Sequence, residues 1–405
     1  MHIYWLPFVV VMLITIGIDF FIWREMKKSH ALEGVAARVH ATLAVAAQAL
    51  ALAMMLWPQP ADGSRTTMVG VLMLLLWGYF LFYVPKTVWA ALYPLHKVVK
   101  SRVTPRRFVK GTAFVAALAV FASMVVGTLH TPRTYEVSRV DIVSPRLPQG
   151  FDGYRIVHIS DWHLGTYNND TTFVAACVNA INDLHPDLIV FTGDLVNTSA
   201  REIAPFGSCL RRLSAPDGVL AVLGNHDYDD YAPCTRSQWE TELRQLCSSE
   251  QELGWTLLHN NAMLLRHGGD SIGVVGTENY SNSRTPDYSR LDSALLSAPQ
   301  APYTILLQHN PEMWRAQVAG STDVNLTLSG HTHAMQMLLT IGDRRLSPAR
   351  LRYREWGGLY TEGDQQLYVN IGLGMVGVPM RIGATPEITL LTLRRGAAPP
   401  TSNNR

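Results

Sequence analysis

The first 130 residues hold only four acidic side chains and no cysteine. Charge is scarce within four stretches of them, roughly 2–23, 37–57, 68–84 and 111–127. A helix needs about 20 apolar residues to cross a bilayer. One such run could be a buried helix of a soluble protein, but four in succession read as a transmembrane domain over residues 1–130. No basic segment precedes the first run and no small-residue cleavage site follows it, which argues against a cleaved signal peptide. The third run is the shortest and is expected to continue past Pro85 as an interfacial segment carrying Trp89 and Tyr93.

Positive charge is missing from one loop and crowded into its neighbours. The first loop holds Arg24, Lys27, Lys28 and Arg38; the third holds Lys86, Lys97, Lys100, Arg102, Arg106, Arg107 and Lys110; the second has Arg65 alone. Basic loops stay cytoplasmic. The expectation is a multi-pass protein of the bacterial inner (cytoplasmic) membrane, with both termini and everything after the fourth helix on the extracytoplasmic side. Its first partner is then the lipid bilayer. Residues 1–130 carry 12 basic and 4 acidic side chains, about +8, whereas residues 131–405 carry 22 and 28, about −6. The acidic second part offers no basic face for nucleic acid, so no nucleic-acid partner is expected. Asp19 and His40 lie inside apolar runs, where an ionisable group is a functional candidate. They either pair, sit near the interface, or serve transport.

Cysteine is nearly absent: Cys177, Cys209, Cys234 and Cys247 are all there is. Outside the cytoplasm they could form disulfides, with Cys234 and Cys247 the expected pair, or remain buried thiols. Cys177 reads as a helix core position. Internal repeats are absent too, and the one low-complexity tract is the tail 396–405, expected to be disordered. Residues 131–150, with Pro132, Pro145 and Pro148, read as an extended linker. From 151 to 395 apolar runs alternate with helical stretches. "YRIVHIS" (154–160), "DLIVFTGD" (187–194), "GVLAVLGNHD" (218–227), "YTILLQHN" (303–310) and "VNLTLSGHTH" (324–333) suit strands covered on both faces. A helix is expected over Thr171 to Leu184, and antiparallel strands within 255–276. The fold class is α/β with mixed sheets.

Each of those five runs ends in a polar cluster: Asp161-Trp162-His163, Gly193-Asp194, Gly224-Asn225-His226-Asp227, Gln308-His309-Asn310 and Gly330-His331-Thr332-His333. Sites of α/β sheets are built beyond the carboxyl ends of strands. No cysteine belongs to a cluster, which argues against a structural zinc site. Asp161, Asp194, Asn225, His163, His309, His331 and His333 offer oxygen and imidazole nitrogen, a donor set that suits Mn, Fe, Zn or Co. Seven ligands exceed what one open metal site needs and suit a two-metal centre with a bridging carboxylate. The plain alternative for His331 and His333 is two surface histidines in a turn, which requires the other four clusters to be coincidence.

"SDWHLG", "GDLV", "GNHD", "QHNPE" and "SGHTH", in this order, resemble the calcineurin-like metallophosphoesterase superfamily. The likeness covers about residues 150–395. The segment "GLYTEGDQQLYVNIGLGMVGVPMRIGATPEITLLTL" is similar to the branch of bacterial membrane-associated or exported phosphodiesterases. The resemblance implies a sandwich of two mixed β-sheets flanked by helices, and two divalent metal ions. Asp161, His163 and His333 would hold one metal, and Asn225, His309 and His331 the other. Asp194 would bridge them. His226 would contact the phosphate and protonate the leaving group, and Asp227 would orient His226. The implied reaction is hydrolysis of a phosphoric ester by a metal-bridging hydroxide.

Tethering near a bilayer favours a lipid-linked or membrane-proximal phosphodiester or pyrophosphate as substrate. The alternatives are a non-catalytic metal-binding scaffold and an accessory domain of a membrane transport or signalling protein. Two details bear on the substrate. Gly372 to Met380 is either an apolar lip for acyl chains or a tight core loop between "LYVNI" and "EITLLTL". Ala334-Met335 stands where the family more often has a glycine pair, in "GHTHGGQ", and is expected to disturb the usual loop and to set apolar surface beside the metals. Gly330 is expected to be needed for a tight turn.

Overall fold

The computed structural model describes residues 5–27, 34–56, 65–98, 106–228, 235–283, 285–298, 300–342 and 344–397. The chain divides into a helical unit and an α/β unit, meeting near Thr128 in sequence.

The helical unit contains α1 (Trp5–Lys27), α2 (Val35–Leu56), α3 (Arg65–Leu92), the short α4 (Leu95–Val98) and α5 (Arg106–Leu129). Segments Val35–Leu56, Gly70–Val98 and Arg107–Arg133 are long and apolar enough to span a membrane among the described residues. The expected fourth span rests on the sequence of α1, which is apolar apart from Asp19 as far as Ile22. As expected, the third run continues through Pro85. A proline there removes the backbone donor that would face the Leu81 carbonyl; the Thr87 hydroxyl, separately, donates to the Tyr83 carbonyl at 2.8 Å. Asp19 is buried and paired. Lys86 donates to it at 2.7 Å and the Tyr83 hydroxyl at 2.6 Å, while His40 Nε2 lies 3.2 Å from the Asp19 carbonyl oxygen. Gln48 extends the network to Thr15 and Tyr83. A polar chain of this kind ties α1 to α2 and α3 where water cannot satisfy it.

The α/β unit is built on two six-stranded mixed sheets. The first has the order β1 (Glu136–Ser144), β14 (Glu387–Arg395), β2 (Arg155–Ile159), β3 (Leu188–Phe191), β4 (Val219–Ala221), β5 (Thr256–Leu257). The second runs β12 (Gly358–Glu362), β13 (Gln365–Val369), β9 (Leu326–Ser329), β8 (Thr304–Leu307), β7 (Asp270–Gly276), β6 (Asn261–His267). A hairpin of β10 (Leu339–Ile341) and β11 (Arg344–Leu346) stands apart from both. Strand alternation decides what each face covers. Ile156, Leu188, Val190, Ile305, Leu307, Leu326 and Leu328 point into the core shared by the two sheets. Their neighbours Val157, Ile189 and Phe191 meet α6 (Thr172–Asp183) and α8 (Arg236–Glu252) on the opposite face. On the outer side of the second sheet, Leu306 and Val369 meet Trp314 and α9 (Leu291–Ser297). The one remaining helix, α7 (Gly207–Leu210), is a single turn beside α6. The result is the expected sandwich of two mixed sheets flanked by helices.

Two expectations are corrected. Residues 131–150 are not simply a linker: β1 is a nine-residue edge strand, parallel to β14 from Glu136↔Glu387 to Ser144↔Arg395. Its half-exposed residues hid it, since an edge strand is held mainly by backbone hydrogen bonds and needs no apolar run. Of the runs in 255–276, only β6 and β7 pair antiparallel, whereas β5 joins the first sheet in parallel. Cys177, Cys209 and Cys247 are free thiols, and Cys177 is buried in α6 as expected. Cys234, the expected partner of Cys247, lies outside the described residues, as does the tail beyond Ala397.

The loops after the strands carry unusual backbone. Asp161, His163, Asp194, His331 and His333 all have φ between 46° and 74°, as do Ala334 (51°) and Met335 (47°). Left-handed backbone costs a non-glycine residue roughly 1–2 kcal/mol. Ala334-Met335 therefore keeps the left-handed turn open to a glycine pair instead of disturbing it, at the cost of strain. Gly330 is required for a different reason from the one expected. Its φ is not left-handed, but a Cβ there would lie 1.9 Å from Ser160 Oγ and 2.3 Å from Asp161 Oδ2.

Two measurements follow. Met335→Gly relieves one left-handed residue whose side chain is partly exposed, so thermal unfolding should show a gain of about 1 kcal/mol or slightly less; a loss of stability would mean that no strain is stored there. The Glu250 carboxyl in α8 is fully buried with no hydrogen-bond partner among the described residues, and burial holds its pKa well above the usual 4.5. A raised folded-state pKa gives stability that is complete below the unfolded pKa and is lost as pH rises. The parent should therefore lose stability relative to Glu250→Gln as pH is raised above about 4.5. Equal pH slopes in the two proteins would rule this out.

Candidate metal centre

All seven ligand candidates lie in the turns just beyond five strands. Asp161 and His163 follow β2, Asp194 follows β3, Asn225 follows β4, His309 follows β8, and His331 and His333 follow β9. The first three turns leave one sheet and the last two leave the other, so the site sits where the ends of both sheets converge. Asp194 is the shared member. Its Oδ2 lies 3.5 Å from His163 Nε2 and 3.2 Å from His309 Nε2. Its Oδ1 accepts the His226 amide at 2.8 Å. On one side, His163 Nε2 lies 3.1 Å from His333 Nε2, and His333 Nε2 lies 3.1 Å from Asp161 Oδ1. On the other, His309 Nε2 lies 3.0 Å from Asn225 Oδ1 and 3.2 Å from His331 Nδ1. The ligand atoms of Asp161, His163 and His333 form one compact group, and those of Asp194, His309 and His331 another. A third group, His163, Asp194 and His226, overlaps both, so that Asp194 belongs to two of the three.

The outer ring nitrogens test whether the inner ones can bind a cation. His163 Nδ1 faces Asn197 Oδ1 at 2.9 Å, and His309 Nδ1 faces the Thr192 carbonyl at 2.7 Å. Both partners are acceptors, so a neutral ring carries its hydrogen there and turns a bare Nε2 inward. His331 presents Nδ1, with Nε2 3.2 Å from the Tyr353 hydroxyl. His333 differs: its Nδ1 lies 3.1 Å from Arg381 Nη2. That guanidinium also donates to the carbonyls of Ile371 and Gly374, so its Nη2 hydrogens have acceptors without His333. The donor set fits two divalent cations.

The electrostatics agree. Burial alone would neutralise Asp161 and Asp194. Facing His333 holds Asp161 below the usual carboxylate range, and His309 does the same for Asp194. Burial pushes His331 down to about 3 and His163 well below its ordinary value. The carboxylates are thus ionised and two imidazoles neutral, the state that binds metal. His309 is the exception: burial lowers it, but Asp194 outweighs burial and raises it to about 9. A proton on His309 and a cation beside Asp194 answer the same charge and exclude one another.

His226 is half-buried at the rim, its ring set edge-on to His163 with centroids 4.8 Å apart. Its Nδ1 lies 2.9 Å from the Asn197 carbonyl oxygen. Asp227 does not orient that ring directly, contrary to expectation. Its carboxylate accepts the amides of Gly224, Asp194, Leu195 and Val196, with distances of 2.8, 2.8, 2.8 and 3.3 Å. It binds the turns after β3 and β4 together and acts on His226 through the backbone. The close approach has a steric condition, because a Cβ on Gly224 would lie 2.2 Å from Asp194 Oδ1.

Sequence reasoning missed Asn197, Thr192, Tyr353 and Arg381. Asn197 follows Asp194 by three residues and could have been suspected from that spacing. Arg381 is a lone cation in a glycine-rich apolar stretch, another available signal. Thr192 acts through its carbonyl and Tyr353 comes from a distant loop, so neither left one. The segment from Gly372 proves to be core and not a lip at its start: Leu373 and Gly374 donate amides to Ser160 and Asp161.

Comparisons with known proteins agree with this geometry. The family described as calcineurin-like phosphoesterase matches residues 154–335. The uncharacterized metallophosphoesterase YkuE of Bacillus subtilis (strain 168) is 34% identical over 307 residues, covering 72% of this chain and 98% of that protein. A transmembrane protein with metallophosphoesterase domain from Bos taurus is 31% identical over 301 residues, 70% of this chain and 63% of its own length. Its counterpart from Danio rerio is 28% identical over 339 residues, 81% of this chain and 72% of that protein. That last share exceeds what lies beyond residue 130, so the likeness reaches into the apolar helices. With this ligand geometry and these relatives, the chain belongs to the calcineurin-like metallophosphoesterase family, as a membrane protein whose hydrolase domain follows its helices.

Proposed function

We propose that this protein is a membrane-anchored phosphoesterase with two metal ions. It hydrolyses a phosphodiester or pyrophosphate bond of a lipid-linked or membrane-proximal substrate outside the cytoplasm. The observation that carries the reading is Asp194 Oδ2 placed between His163 and His309, 3.5 and 3.2 Å from their Nε2 atoms. One cation would be held by Asp161, His163 and His333, the other by Asn225, His309 and His331, with Asp194 common to both. When bound, such a pair supplies Lewis-acid activation of water and neutralises phosphate charge; Mn, Zn and Fe all suit the donors.

The chain's own residues supply the rest. His163 and His309 are locked in one tautomer by Asn197 and Thr192, so their Nε2 lone pairs stay aimed inward. Asn225 brings a neutral oxygen to a centre that already holds two carboxylates. His226 keeps its Nδ1 hydrogen on the Asn197 carbonyl; with a second hydrogen on Nε2 the ring can pass that proton to the departing oxygen, and the proton released by the attacking water replaces it. Hydrolysis then closes with hydroxyl on phosphorus and hydrogen on the leaving group. The lipid preference is supported by the membrane-spanning helices and by the acidic balance of residues 131–405, which disfavours nucleic acid.

The test combines metal analysis with turnover on a chromogenic phosphodiester and on membrane lipid extracts supplied with Mn, Zn or Mg. His226→Ala should lose about 10²–10⁴-fold in rate while keeping its metal. Asp194→Ala should lose metal and activity together. A metal-replete parent with no turnover would favour a scaffold, and metal retention in Asp194→Ala would remove the shared carboxylate.

The extracytoplasmic placement is supported by the basic first and third loops against Arg65 alone in the second. A reporter that matures only in the cytoplasm, fused after Arg405, should stay dark. Bright fusions would invert the topology.

A further inference from the structure

Between the ligand His333 and the buried Trp356 the chain makes an excursion that none of the chemistry above uses. It leaves the site through the left-handed Ala334-Met335 turn, forms the hairpin β10–β11, and returns through a 3-10 turn at Pro348–Leu351. Its base is anchored. Ala334, Ala349, Trp356, Ile371 and Ala384 pack together, and the Ser347 hydroxyl donates to the Ala334 carbonyl at 2.6 Å.

The outer part is unusually apolar. Among the described residues from 129 onward, nine large hydrophobic side chains are exposed, and six of them lie here: Met335, Met337, Leu339, Ile341, Leu346 and Leu351. Register shows how three of these share one surface. Leu339 pairs with Leu346, Thr340 with Arg345, and Ile341 with Arg344. Paired residues lie on one face, and the face alternates along the strand. Leu339, Leu346, Ile341 and Arg344 therefore occupy one face, and Thr340 and Arg345 the other. Arg345 sits over the Trp356 ring, 5.6 Å from its centroid. The Thr340/Arg345 face thus looks back at the domain, and the aliphatic face looks away, with Leu339 57% and Ile341 60% exposed.

Charge marks the same segment. Residues 335–354 contain Arg344, Arg345, Arg350, Arg352 and Arg354 against the single acid Asp343, within a part of the chain that is about −6 overall. Arg352 is engaged by Glu312, but Arg344 and Arg350 are exposed beside Leu346 and Leu351. A soluble surface has no reason to combine outward aliphatics with a local excess of arginine. An interface of acyl chains beneath anionic head groups takes both at once.

We infer that the outward face of the β10–β11 hairpin is a membrane-docking surface, with Leu339, Ile341 and Leu346 entering the interfacial layer of an anionic bilayer and Arg344 and Arg350 engaging its phosphates. The apolar helices already hold the chain at a bilayer, so a face of modest intrinsic affinity suffices, because docking becomes an intramolecular event. Docking would place Tyr353, whose hydroxyl lies 3.2 Å from His331 Nε2, close to the head-group layer. The inference goes beyond the proposed substrate and would hold for any phosphoester cleaved at a membrane.

The full chain, reconstituted in phosphatidylcholine liposomes with or without phosphatidylglycerol, tests it by photo-crosslinking. A p-benzoylphenylalanine is placed at Leu339, at Leu346 or at Thr340, and adducts are read by mass spectrometry. All three positions are exposed, and unchanged metal content reports that the fold persists. Phospholipid adducts are expected at 339 and 346, about fivefold or more above 340, and raised by phosphatidylglycerol. Arg344→Gln with Arg350→Gln should remove that lipid dependence, each arginine near an anionic surface contributing about fivefold in affinity. Crosslinks from 339 and 346 to the chain's own helices or to a second copy would assign the face to protein and overturn the inference. Lipid adducts equal at all three positions, or absent at all three, would overturn it as well.

Discussion

Two carboxylates and four imidazoles are held within hydrogen-bonding distance of one another in a buried space, and Asp194 stands at the middle of them. The two six-stranded sheets of the α/β unit make that convergence possible. Asp194 can lie between His163 and His309 only because one sheet ends beside the other. The amides of residues 194–196 and 224 are gathered onto Asp227, and Gly224 lets the turn after β4 pass against the Asp194 carboxylate. Charges packed this closely repel or demand protons unless a cation answers them. The opposing directions seen here, with His309 driven up by Asp194 and His331 driven down by burial, are the signature of such a site.

The backbone bears part of the cost. Five of the seven ligand candidates adopt left-handed backbone, a conformation that side chains other than glycine rarely take. Strain of this kind persists only where surrounding structure over-determines it. Here that structure is the strands themselves, whose interdigitated core fixes where each turn must begin. Outer-ring partners complete the work: a carbonyl, an amide and a phenol set the rotation and tautomer of three histidines. This is why Thr192, Asn197 and Tyr353 matter although none of them offers a ligand atom to a cation.

Much of this was legible from the chain alone, for identifiable reasons. Buried strands of a mixed sandwich are continuous apolar runs, so β2, β3, β4, β8 and β9 stood out, and the polar residues ending them stood out by contrast. What was illegible shares a different property. β1 is an edge strand with half-exposed residues, Asp227 acts through the backbone, and Gly330 is required by an approach from Ser160 and Asp161, distant in sequence. Ala334-Met335 looked like a disturbance because the sequence shows side chains, not the left-handed backbone beneath them. In the helical unit, Asp19 and His40 were visible as anomalies, but Lys86, which neutralises Asp19, read only as a loop charge.

By itself, the order of residues determined the fold class, the membrane-spanning character of the first part and the candidate metal-binding side chains. Each of these follows from local composition: runs of apolar residues, their period, and polar clusters at their ends. Only the tertiary structure decided how those side chains face. Whether an imidazole turns Nδ1 or Nε2 inward depends on a partner across the sheet. Whether a glycine is needed depends on what approaches its missing Cβ. Which face of the β10–β11 hairpin looks outward depends on pairing register and on Trp356 beneath it. Those are relations between segments far apart in sequence, and no single stretch of the chain contains them.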